Sequence, residues 1–192
     1  MTPDVLRLAA EVTARLQAAG LQVVIGGSVA SSLVGEPRAT VDLDVAISAM
    51  ADPADALLAA FDDGYYISDI AVREATRRCS SFNVIHLETM QKVDIFILGS
   101  GALDTAQMTR RQLVEVGGDI TLPIGAAEDQ ILRKLWWYRL GEETSERQWR
   151  DVVGILRIQQ GRLDERHLDD IAAAEGLSDL LNRARTHSSA DQ

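Results

Sequence analysis

Apolar positions follow two rhythms along this chain, a helical one at both ends and an alternating one in the middle. Over residues 2–19, Val5, Leu8, Ala9, Val12 and Leu16 fall on one stripe of a helix, with Thr2 as its cap, Pro3 in its first turn and Gly20 at its exit. Leu21, Val23, Val24 and Ile25 then form a short apolar run closed by Gly26 and Gly27, the pattern of a buried strand that turns abruptly. Over 40–47 the residues alternate, with Val41, Leu43, Val45 and Ile47 on one face and Thr40, Asp42, Asp44 and Ala46 on the other. A helix follows over 53–61, leaving through Asp62, Asp63 and Gly64. A brief strand is predicted over 65–68 and a helix or ordered turn over 69–78. Two strands over 81–88 and 91–98 read as an antiparallel pair joined at Thr89 and Met90. In the second of them Val93, Ile95 and Ile97 face one way, and Lys92, Asp94 and Phe96 the other. A helix over 103–110 precedes two short strands, 113–116 and 120–123, around Gly117 and Gly118.

From Ala126 the pattern turns helical, with helices predicted over 126–140, 144–159, 164–174 and 177–185. The expected fold class is therefore α+β: a sheet core with flanking helices over 1–122, a C-terminal helical subdomain over 123–187 and a frayed tail over 188–192. At 192 residues and 46% hydrophobic, the chain can bury one good core, or one core and a helical appendage, but not two large domains.

Composition narrows the function. A formal charge of -10 argues against a broad basic surface coated with nucleic acid, while leaving room for a local basic cleft. The single cysteine, Cys79, excludes an intrachain disulfide and reads as a structural or surface thiol in a reducing compartment. No apolar run approaches membrane-spanning length, and no basic region followed by a hydrophobic segment opens the chain, so a soluble cytoplasmic protein with no membrane partner is expected. His86, His167 and His187 lack metal-ligand spacing, which disfavours zinc.

The chemistry concentrates in 21–47. Gly26 and Gly27 can take backbone angles closed to other residues and leave room for a ligand to approach the main chain. A helix beginning near Ser28 aims its free N–H groups at that turn, which favours phosphate. Asp42 and Asp44, one pleat apart on one face, repel each other; a divalent cation between them removes the conflict. The turn lacks the Gly-Lys-Ser/Thr ending of a P-loop and the three-glycine spacing of a dinucleotide fold. Gly26, Ser28 and Ala30 loosely mimic a hydrolase nucleophile elbow, but that reading leaves the Asp-x-Asp strand unexplained and belongs to a fold needing a longer chain.

The segment LQVVIGGSVASSLVGEPRATVDLDVAI resembles the nucleotidyltransferase superfold, the polymerase-beta-like fold, whose signature is a Gly-Gly or Gly-Ser turn followed by two acidic residues flanking a hydrophobic one. Its second half, with Arg38-x-Thr40 before the acidic pair, is similar to the abortive-infection (AbiEii-type) toxin branch. The resemblance implies a small mixed β-sheet nucleotidyltransferase core. It gives Asp94 the role of a third acidic residue beside Asp42 and Asp44, the alternative being an Asp on an exposed sheet face. Three oxygen ligands of this kind suit Mg2+ or Mn2+. Gly26, Gly27, Ser28, Arg38, Thr40 and Lys134 are implied as nucleotide-binding residues.

Farther on, AAEDQILRKL is similar to the Glu-Asp-x-Ile-x-x-Lys-Leu helix of the same families. Lys134 there would neutralise the β and γ phosphates; otherwise it is a surface lysine pairing with Glu128 or Asp129. RQWRD resembles an Arg-x-x-Asp helix in which the Asp orients the lysine, a role that falls to Asp151, with Arg147 or Arg150 as a phosphate contact. A helical surface salt bridge is the alternative. Trp136, Trp137 and Tyr138 cannot all face a core, so one is a candidate for stacking on a base, the bland alternative being core or interface packing. The implied activity is transfer of a nucleoside monophosphate from a nucleoside triphosphate to an acceptor hydroxyl on tRNA, a protein or a small molecule such as an aminoglycoside, catalysed by Asp42, Asp44, Asp94, Lys134 and Asp151. The alternative is a non-catalytic nucleotide- or partner-binding member of the fold, acting as a regulatory or toxin–antitoxin module with an antitoxin or a second copy as partner.

Overall fold

A computed structural model describes residues 3–40, 42–48, 52–61 and 64–190. Helix α1 (Pro3–Ala18) leads into β1 (Gln22–Ile25), the short helix α2 (Gly27–Val34) and β2 (Leu43–Ser48). Next come α3 (Ala54–Ala60), β3 (Tyr65–Ile67), α4 (Asp69–Arg78), β4 (Ser81–His86) and β5 (Gln91–Ile97). Helix α5 (Ala102–Thr109) precedes the hairpin β6 (Gln112–Gly117) and β7 (Ile120–Ile124). Four helices close the chain: α6 (Ala127–Leu140), α7 (Glu146–Ile158), α8 (Glu165–Ala174) and α9 (Ser178–Ala190).

Among the described residues the strands form one seven-stranded sheet in the order β3-β4-β5-β2-β1-β7-β6. It is mixed as expected, because β2 runs parallel to β5 and β1 parallel to β7 while the other pairs are antiparallel. Strand alternation gives the sheet two different faces. Val23 and Ile25, Leu43, Val45 and Ile47, and Val93, Ile95 and Ile97 pack on one of them against Val5, Leu8, Val12 and Leu16 of α1, Leu57 of α3 and Val72 of α4. The opposite face carries Asp44 beside Asp94 and Ala46 beside Phe96 in parallel register, and there Val24, Ala46 and Met108 of α5 form only a small apolar cluster. A second core joins the C-terminal helices through Ile131 and Leu135 of α6, Val152 and Ile155 of α7, Leu168 of α8, and Leu180 and Leu181 of α9.

Side-chain caps start two of these helices: the Ser145 hydroxyl accepts from the Gln148 N–H at α7, and the Asp164 carboxylate from the His167 N–H at α8. Asp129, fully buried in the first turn of α6, anchors the neighbours, with His167 Nε2 2.7 Å from one carboxylate oxygen and Arg110 Nε 3.4 Å from the other. Burial pushes its carboxyl above the ordinary range, against the opposing pull of His167 and Arg110.

Several boundaries differ from the sequence pattern. Strand β2 begins at Leu43, not Thr40: β5 pairs it from Leu43 onward and β1 stops at Ile25 opposite Val45, so among the described residues Thr40 and Asp42 have no strand neighbours. Thr40 is instead buried, and its hydroxyl donates to the Asp42 carbonyl at 3.3 Å. Residues 69–78 are a full helix, ended by Cys79 in the left-handed region at φ 46. Strand β7 continues to Ile124, past the 122/123 boundary. Helix α9 reaches Ala190, through residues predicted to fray, as the Ser188 and Ser189 hydroxyls both donate to the Arg185 carbonyl. The Thr2 cap, Val41, the Asp62 and Asp63 exit and the terminal Asp191 and Gln192 lie outside the described residues. Among the described residues no helix is long and apolar enough to cross a membrane.

Candidate active site

The site is built where β1 ends and α2 begins. Gly26 sits at the N-cap of α2, and its N–H donates to the Asp44 carbonyl at 3.0 Å, tying the turn to β2. Gly27 has φ 55, and a Cβ on it would lie 1.7 Å from Asp44 Oδ2. The second glycine is therefore required twice, by its backbone conformation and by the carboxylate pressed against it. Gly27→Ala is expected to cost at least about 2 kcal/mol in unfolding free energy, from left-handed strain and displacement of Asp44; urea titration measures it.

Asp44 and Asp94 stand side by side on β2 and β5. Burial, followed by the negative charges of Asp94 and Asp42, pushes the Asp44 carboxyl above its ordinary range; Lys134 and a hydrogen bond from the Ser28 N–H oppose the shift. Asp42 is exposed just ahead of β2, and Asp94 Oδ2 lies 2.8 Å from Lys92 Nζ. Among the described residues no three acidic, histidine or cysteine side chains converge as a ready-made metal cluster. The donor chemistry nevertheless fits a hard divalent cation, because the donors are all carboxylate oxygens and both Asp94 and Asp42 raise the cost of ionising Asp44.

Helix α6 divides its residues between core and cleft. Ile131, Leu135 and Tyr138 face the C-terminal core, while Gln130, Arg133, Lys134 and Trp137, at positions i, i+3, i+4 and i+7, roof a cleft of about 270 Å³ over Asp44, Ala46 and Phe96. Lys134 is only 4% exposed. Its ammonium donates to Asp151 Oδ2 at 2.8 Å and to Gln148 Oε1 at 3.1 Å, so it is not a surface lysine paired with Glu128 or Asp129. Arg38 grips the same carboxylate through Nε and Nη2, at 3.1 and 3.2 Å, and also donates to the Ser28 hydroxyl. Arg147 and Arg150 are exposed; the guanidinium on Asp151 comes from Arg38.

No protein-family model matches the sequence, and no curated protein does. Solved structures match nearly end to end. The antibiotic-resistance factor ANT(2'')-Ia is 14% identical at a TM-score of 0.55, over 97% of this chain and 100% of that one. An antigenic nucleotidyltransferase-like protein from Paracoccidioides brasiliensis is 16% identical at a TM-score of 0.55, over 95% of this chain and 94% of its own. The fold is nucleotidyltransferase-like.

Within this nucleotidyltransferase-like fold, the described structure brings Gly26, Gly27, Ser28, Arg38, Asp44, Asp94, Lys134 and Asp151 to one cleft and its margin, whereas the Thr40 hydroxyl turns to the Asp42 carbonyl. Trp137 is the aromatic that stays 39% exposed, set edge-on to Phe96 with centroids 5.8 Å apart. Cleft residues missed from sequence are Gln107, Gln130, Arg133 and Gln148. The helical spacing of 130, 133, 134 and 137 is a signal for the α6 members; Gln107, from α5, carries none.

The buried pair shifts in coupled fashion. Burial pushes Lys134 below the ordinary lysine range, against the attraction of Asp151. Burial also opposes ionisation of Asp151, but Lys134 and Arg38 outweigh it and hold the carboxyl below its usual 3.8. A depressed acid contributes stability that is complete above its unfolded pKa and lost as pH falls through its folded one. The stability gap between wild type and Asp151→Ala is therefore expected to be widest above about pH 4 and to narrow below it, as urea midpoints at pH 7, 5 and 3 would register.

Proposed function

We propose that this chain is a metal-dependent nucleotidyltransferase that moves a nucleoside monophosphate from a nucleoside triphosphate to an acceptor hydroxyl and releases pyrophosphate. The observation that carries this reading is that Asp44, with Asp94 beside it on the sheet, faces across one cleft Lys134, which Asp151 holds on the helices. Carboxylates alone would repel a triphosphate, and cations alone would bind it without reacting.

With the Gly26 and Ser28 N–H groups turned to Asp44, the bare turn leaves the Gly27 N–H at the α2 N-terminus, with the Ser28 hydroxyl, for phosphate oxygens. Lys134 supplies a compact positive charge for the β and γ phosphates. Asp151 fixes both Lys134 and Arg38, so the cationic side is organised before substrate arrives. In this reading Asp94 takes the proton of the acceptor hydroxyl as it attacks the α phosphorus in line with the leaving pyrophosphate. Asp42, Asp44 and Asp94 are the residues that would hold Mg2+ or Mn2+, which when bound supplies Lewis-acid stabilisation of the phosphoryl charge. The exposed face of Trp137 suits a nucleobase. The Arg38–Asp151–Lys134 network joins the Arg-x-Thr, lysine and Arg-x-x-Asp motifs and supports kinship with the abortive-infection branch.

The test is pyrophosphate release from each of the four nucleoside triphosphates, with magnesium or manganese, on adding tRNA, protein or small-molecule fractions of a bacterial extract. Release that depends on one fraction is expected. Nucleotide binding without release in every fraction would favour the regulatory module instead.

A further inference from the structure

Lys92 and Asp94 lie two residues apart on β5 and so share the sheet face that carries Asp44. The Lys92 ammonium is 2.8 Å from Asp94 Oδ2, with the lysine side chain 46% exposed and the aspartate 19%. Asp42 and Asp44 attract the same ammonium. One half-exposed cation thus sits beside the carboxylates proposed above to hold a divalent ion.

We propose that Lys92 is a tethered counter-cation of the acidic site: it binds an Asp94 oxygen that the divalent ion also needs, and the ion enters by displacing it. This rests on the proposed function and adds a regulatory step to it. An ammonium and a divalent ion cannot share one carboxylate oxygen without strong repulsion. A half-exposed ion pair is weak, so displacement is easy, yet it still opposes the metal. A nucleoside triphosphate offers the released ammonium a new anionic partner. Bound nucleotide is therefore expected to raise metal affinity more in wild type than in a variant without the ammonium. Lys92→Arg, which preserves the charge, should behave like wild type.

The experiment is titration with Mn2+, reading free ion by electron paramagnetic resonance, for wild type, Lys92→Met, Lys92→Gln and Lys92→Arg, with and without nucleoside triphosphate. Without nucleotide, Lys92→Met and Lys92→Gln are expected to bind Mn2+ on the order of tenfold more tightly than wild type. That advantage should shrink when nucleotide is present, and Asp94→Asn should abolish it. Equal or weaker Mn2+ binding by both neutral variants would overturn the role of Lys92 and leave the transferase reading standing. Absence of Mn2+ binding in wild type and every variant, nucleotide present or not, would overturn the metal site and this inference with it.

Discussion

Asp44→Asn is expected to lower nucleotidyl transfer by about 10³-fold, roughly 4 kcal/mol of transition-state stabilisation, while leaving the protein as stable as wild type or slightly more so. The two effects have one cause. Asp44 is partly buried and faces the negative charges of Asp94 and Asp42, which together disfavour its ionised form. A carboxylate kept under such conditions costs stability, and asparagine of nearly the same shape relieves that cost. It also removes a charged oxygen from the site, which is what the chemistry requires. Acceptor-dependent pyrophosphate release and thermal unfolding, measured on the same preparation, check the pair of outcomes. An aspartate serving only to hold the turn would show the reverse, with stability lost and activity falling only in proportion.

Asp151→Ala is expected to be the most destabilising single change at the site, costing about 3–5 kcal/mol. Its side chain is 6% exposed and lies between the side chains of Lys134, 5% exposed, and Arg38, 19% exposed, so its removal leaves two adjacent cations without their shared anion. Lys134→Met should cost less, since Asp151 keeps Arg38. Combining Lys134→Met with Asp151→Leu should recover part of the stability lost by Asp151→Ala, because an apolar pair replaces the buried Lys134–Asp151 pair and only the more exposed Arg38 is left without its anion. Transfer should not recover. A chemical-denaturation cycle over the single and double variants, with pyrophosphate release on each, separates the structural role of Asp151 from the phosphate-binding role of Lys134.

The parts of the site legible in the sequence are those governed by short-range rules. A glycine pair after an apolar run marks a tight turn, and alternation on β5 puts Asp94 opposite the core face of the sheet, as observed. On α6, one helical turn separates Ile131 from Leu135 in the core and leaves Lys134 to the cleft. What was not legible depends on partners distant in the chain. Arg38 and Asp151 were each recognisable from motifs, but their bond spans 113 positions and exists only once α7 packs beside α2. The start of β2 is set by where β1 and β5 can pair with it, which the alternation of Thr40 and Asp42 does not encode. Asp129 enters from sequence only as an alternative partner of Lys134, and His167 only as a histidine without metal-ligand spacing, whereas the packing of α6 on α8 buries the carboxylate and brings the imidazole to it.

Parallel reactions with α-labelled and γ-labelled nucleoside triphosphate address the central claim most directly, since they identify which phosphorus is attacked. The account predicts that the α label appears in the acceptor and the γ label in pyrophosphate, both lost in Asp44→Asn. Transfer of the γ label to the acceptor, or its release as inorganic phosphate with no α label transferred, would contradict nucleotidyl transfer and assign the cleft to a different phosphoryl chemistry.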